Sequence, residues 1–151
     1  MRDDPYVVDP LSEIKLSWLV RRRLRRVSQR HETGLLMHGI IRTPVRSMSP
    51  KNPAVGIREG KTWLTTASSA TLTRLPQWAP LAPGEHHLTF QASRSRSGSS
   101  FDRRFVLAEG DVLVAICEPI QPWTIFGKSP SAGHWYMDVI TQAAQRCTND
   151  A

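Results

Sequence analysis

The stretch HHLTFQASRSRSGSSFDRRFVLAEGDVLVAICEP, residues 86–119, decides the fold class. In its first part apolar and polar residues alternate: Leu88, Phe90 and Ala92 fall on one side, His87, Thr89 and Gln91 on the other. A period of two marks a strand with one buried face. The serine-rich RSRSGSS reads as a flexible connection to FDRRFVL, which puts Phe101, Phe105 and Leu107 on its core side. After the turn AEGD comes VLVAICEP, apolar on both faces and so suited to the centre of a sheet. The spacing predicts three consecutive antiparallel strands.

Working outward, AVGIREGKTWL reads as a hairpin turning at Glu59-Gly60, and TTASSATLTRL has β character. Pro76, Pro80 and Pro83 hold the chain extended toward a turn at Pro83-Gly84. LLMHGIIR is a further strand, followed by a loop bounded by Pro44, Pro50 and Pro53. Downstream, WTIF, a GKSP turn and HWYMDVI form a final strand pair. A chain of 151 residues is long enough for one core, and 11 prolines and 9 glycines break it into short strands rather than long helices. The expected fold is mainly β: a single antiparallel β-sandwich over residues 35–140, an N-terminal segment over 1–34 and a tail over 141–151.

The N-terminal segment contains DPLSEIKLSWLVRRRLRRVSQRHETG, with Asp9 before Pro10 as a helix start and Gly34 as a stop. At 100° per residue, Leu16, Val20, Leu24 and Val27 fall in one narrow arc, with arginines around much of the remainder. Trp18 falls among the arginines. The net charge of +7 has its source here: Ile14 to His31 holds seven basic residues and no acid, and the rest of the chain is formally neutral. The pI of about 10.2 therefore describes one basic amphipathic α-helix rather than a basic protein.

From Ala54 to Pro119, the motifs VGIREG, LAPGEHHLTFQA and RRFVLAEGDVLVAICEP follow one another. This order resembles the small bacterial β-sandwich modules of the PEGA type and the related Ig-like modules. The resemblance implies a non-catalytic module that spaces, presents or binds, and it transfers no functional residue.

Several activities find no support in the residues. No apolar run is long enough to span a membrane, and the acids and prolines of MRDDPYVVDP do not suit a signal peptide. Cys117 and Cys147 form no Cys-x-x-Cys unit, so a reduced, cytoplasmic compartment is expected, peripheral to the membrane where the helix meets lipid. FGKS has Pro122 where a phosphate-binding loop needs its first glycine. His86 and His87 are adjacent on a strand and point to opposite faces, so they cannot chelate together. There is no nucleophile elbow, Cys117 sits in the most apolar strand, and Asp102, Asp111, Glu118 and Asp138 are scattered. Neither catalytic residue, metal nor cofactor is expected.

The arginine helix is the main functional clue. A solvated helix face usually mixes acids and bases for i to i+4 pairing, and this one does not. Trp18, Arg21, Arg22, Arg23, Arg25, Arg26 and Arg30 are the expected contact residues. The expected partner is an acidic protein or an anionic membrane surface, with nucleic acid phosphates as the alternative. A second basic region, Arg94, Arg96, Arg103 and Arg104, reads first as a solvated hairpin that discourages edge pairing, and second as an arm touching phosphate or an acidic partner.

Overall fold

The computed structural model describes residues 7–40, 53–68, 74–91, 100–119 and 133–141. Its elements are β1 (Val7–Asp9), a single 3-10 turn (Leu11–Glu13), α1 (Trp18–Gln29), β2 (Gly34–Gly39), β3 (Pro53–Glu59), β4 (Thr62–Ser68), β5 (Gln77–Pro80), β6 (Gly84–Gln91), β7 (Ser100–Leu107), β8 (Val112–Pro119) and β9 (Gly133–Ile140). The expected WTIF strand, the GKSP turn, the serine-rich connection with Ala92, and the tail with Cys147 lie outside the described residues.

The strands form two sheets, ordered β1-β9-β8-β2-β5 and β4-β3-β6-β7. Leu35, Met37, Leu113, Ala115, Cys117 and Trp135 from the first meet Val55, Ile57, Leu88, Phe90 and Leu107 from the second in one buried core. Phe90 stacks on Phe101 at 5.1 Å and meets Trp135 edge-on at 5.2 Å, so the largest side chains lock the two sheets together. The opposite face of the first sheet is also buried. Leu36, Val112, Val114, Ile116 and Tyr136 pack there against Val20, Leu24 and Val27 of α1. This accounts for the doubly apolar β8, which has a sheet on one side and a helix on the other.

The fold is mainly β, with two antiparallel-rich sheets and one short helix. Two expectations need correction. The sheets are not wholly antiparallel, because β1 pairs with β9 and β2 with β8 in parallel. The run β6, β7, β8 is also not one meander: β6 pairs with β7, but β8 lies in the other sheet between β2 and β9. The turn at Ala108–Asp111 makes that crossing. Asp111 Oδ2 accepts from the Ala108 N–H at 2.9 Å, and Thr33 Oγ1 accepts from the Gly110 N–H at 2.7 Å. Gly110, at φ 86°, supplies the left-handed conformation that the turn requires. β7 keeps Asp102, Arg104 and Val106 in solvent whereas Val112 to Cys117 are all buried, so the two strands suit different layers.

The helix begins eight residues later than expected. Asp9 ends β1 and Pro10 is extended; Ser17 is the cap, its Oγ accepting from the Val20 N–H at 3.3 Å. Nor does Gly34 stop it. The end is a Schellman arrangement in which the Glu32 N–H reaches the Val27 carbonyl and the His31 N–H reaches that of Ser28, with His31 in the left-handed position at φ 53°. Gly34 instead opens β2, where Trp78 and the Ala79 carbonyl leave no room for a Cβ.

Side chains fasten the periphery. The Gln77 carboxamide of β5 accepts from the Thr66 N–H at 2.9 Å and donates to the Thr66 carbonyl, joining the two sheets at one margin. His134 Nε2 lies 2.6 Å from Asp9 Oδ2 with its ring stacked on Tyr136, and Asp138 accepts from the Leu11 N–H at 2.8 Å, which anchors the chain ahead of α1.

His86 ties the Pro83-Gly84 turn to the β3–β4 hairpin. Its Nδ1 lies 2.6 Å from Glu59 Oε2 and its Nε2 lies 2.6 Å from the Ala82 carbonyl. Both neighbours are acceptors, so the ring satisfies both only as an imidazolium. Partial burial pulls its pKa down, but the Ala82 carbonyl, the Glu59 hydrogen bond and the Glu59 charge outweigh it and leave the pKa raised. A raised folded pKa stabilises below the ordinary imidazole range and is lost as pH rises through the folded value. Unfolding by urea should show stability falling by on the order of 1 kcal/mol from pH 6 to pH 9 in this step, less so in His86→Gln. A slope unchanged by that substitution would remove His86 from the account.

Candidate functional site

α1 turns Val20, Leu24 and Val27 inward at i, i+4 and i+7, and all three are buried on the outer face of the first sheet. Its other side is thereby fixed in space. Arg21, Arg22, Arg25 and Arg26 are exposed along it, Arg23 is half-buried, and Trp18 begins the helix 60% exposed among them. The aromatic expected among the cations is therefore on the surface.

Electrostatics oppose the start of this helix, while Arg26 in its last turn lies at the favourable end. Its first turn carries no acid, while Arg21 falls near the end of its dipole that disfavours cations. Such a cation opposes folding by about 0.3–1 kcal/mol at low salt. Burial of an aliphatic side chain contributes roughly 1.5–3 kcal/mol, and three are buried, so packing decides that the helix forms.

The arginines find few partners. Arg30, at the C-terminal cap, approaches Glu32 at 4.0 Å with its own side chain 74% exposed, a geometry that holds little energy. Among the described residues, Arg21, Arg22, Arg23, Arg25 and Arg26 make no ion pair. The buried Nε of Arg23 has no hydrogen-bond partner among them. Arg22, Arg23 and Arg26, with Leu19 of the same helix, also line a cleft of about 360 Å³ whose other side is Leu75 and Pro76. Leu75 stands 68% exposed just ahead of β5. Leu75 and Pro76 escape a sequence reading because neither shares a periodic pattern with the helix it faces.

The second basic region is not brought to this face. Arg103 and Arg104 lie on β7, in the other sheet from the one that carries α1. Arg104 pairs with Glu85 at 3.6 Å, and Arg103 lies 5.9 Å from the centre of the Phe101 ring. Arg94 and Arg96 lie outside the described residues.

Other chemistry-bearing side chains are engaged structurally. Cys117 is buried, and burial together with the neighbouring Glu118 charge pushes its thiol well above the ordinary range, which suits an inert core residue. Asp102 accepts from Thr89 Oγ1 at 2.6 Å. Among the described residues, no group of three or more His, Cys, Asp or Glu is placed to hold a metal, and no helix is long and apolar enough to cross a membrane. Comparison of the chain with family models, with curated proteins and with solved structures finds no match.

Proposed function

We propose that the protein is a non-catalytic binding or assembly module, an Ig-like or PEGA-like β-sandwich whose outward α1 face docks on an acidic protein partner. The observation that carries this reading is the set Arg21, Arg22, Arg23, Arg25 and Arg26, with no ion pair among the described residues, on a helix seated by its opposite face. Unpaired guanidiniums beside an exposed Trp18 have the composition of interface hot spots, where Trp and Arg are enriched. A lipid surface is less well matched, because the aliphatic stripe that would enter it is already packed on the sheet.

A variant with Arg21, Arg22, Arg25 and Arg26 all changed to Glu tests this reading. Wild type and variant are compared for binding to poly-L-glutamate, duplex DNA, single-stranded RNA and anionic liposomes over a salt series. Wild type should bind poly-L-glutamate, and the variant should lose roughly 100-fold or more, since four contacts at about 1 kcal/mol each suffice for that. Unchanged binding would remove α1 from the interface. A wild-type preference for DNA or RNA, with a steep salt slope, would favour phosphate recognition by the same arginines instead.

A further inference from the structure

The cleft beside α1 differs in kind from the open arginine surface. One side is α1, presenting Arg22, Arg23 and Arg26 beside Leu19; the other is apolar, formed by Leu75 and Pro76. Its volume of about 360 Å³ is at the low end for ligand sites, room for a pair of side chains rather than a folded element. Two features beside it are unfinished. Leu75 keeps 68% of its surface in water, and Arg22, Arg23 and Arg26 make no ion pair among the described residues. Guanidinium–carboxylate bonds are among the stronger charge-assisted ones.

We propose that this cleft selects, within the acidic partner, a short segment that sets a carboxylate side chain next to a bulky aliphatic one. The proposal rests on the acidic-partner reading above and adds a specificity to it. The carboxylate is held by Arg22, Arg23 and Arg26, whose planar, forked donors match its two oxygens. The aliphatic neighbour covers Leu75 and Leu19 against Pro76. Nucleic acid satisfies only half of this arrangement: phosphates meet the arginines, but the described residues lining the cleft include no aromatic ring for a base to stack on. A lipid bilayer has no use for a recess between two walls.

The test uses the full chain and two fluorescein-labelled peptides of equal length and charge, one alternating Glu with Leu and the other Glu with Ser, read by fluorescence anisotropy. Wild type should bind the Glu–Leu peptide at least about fivefold more tightly, as one covered leucine contact predicts. Leu75→Ser, a change at an exposed side chain, should abolish that preference. Arg23→Gln should weaken both peptides. Equal wild-type affinities, or a preference that survives Leu75→Ser, would overturn the cleft proposal while leaving the acidic-partner reading intact. Failure to bind either peptide would overturn both.

Discussion

Gly34→Ala is expected to destabilise the fold by about 2–3 kcal/mol, through overpacking at a site with no room to yield. A Cβ there would stand 2.4 Å from the Ala79 carbonyl oxygen and 2.8 Å from two atoms of the Trp78 ring. Trp78 could turn away, but the carbonyl belongs to β5, which is paired to β2 from Gly34 through Met37. A second change, Trp78→Ala, should therefore not restore stability. Gly56 provides the contrast. Its nearest obstacles are the Trp63 ring at 2.6 Å and the Thr65 carbonyl at 3.1 Å, and Trp63 is 48% exposed, so the ring can swing into solvent. Gly56→Ala should lose no more than about 1 kcal/mol. Urea denaturation of the three variants measures this, and a Gly34→Ala protein as stable as wild type, or one rescued by Trp78→Ala, would contradict the packing described.

Leu24→Ala is expected to remove about 2–5 kcal/mol, the range for a large buried side chain whose space does not fully collapse. Leu24 is 4% exposed and lies in the middle of the stripe between Val20 and Val27. Because this stripe is what seats α1 on the sheet, losing this contact should loosen the helix before the sheets. Arg25→Ala, one residue along and in solvent, should change stability little. Thermal unfolding gives the difference, and binding of poly-L-glutamate by Leu24→Ala should weaken although no arginine has changed. A stability loss below about 1 kcal/mol would mean that the helix is not held by this stripe.

The strands and the helix stripe were legible because burial writes a period into the chain: Leu88 and Phe90 alternate with polar neighbours, and Val20, Leu24 and Val27 recur at helical spacing. The doubly apolar VLVAICEP likewise reads as a central strand, which β8 is. What was not legible depends on contacts between distant residues. β1 has three residues, too few for a pattern, and its pairing with β9 joins opposite ends of the chain. Asp9-Pro10 has the chemistry of a helix start, and the pairing of Asp9 with Tyr136 in the sheet is what moves the cap to Ser17. AEGD makes the same turn whether the chain doubles back or changes sheet. Most of the arginine set could be read directly from the charge count; the Leu75–Pro76 wall opposite it could not.

The Gln77 carboxamide occupies the outward hydrogen-bonding groups of a neighbouring edge strand. β4 and β5 are outermost strands of their respective sheets, the positions from which another molecule's strand could be recruited. By taking the Thr66 N–H and carbonyl together, one glutamine stands in for a neighbouring strand's peptide group. At the far margin β7 meets the same hazard with Asp102, Arg103 and Arg104 exposed in succession. Strand addition is thus opposed by mimicry at β4 and by charge at β7.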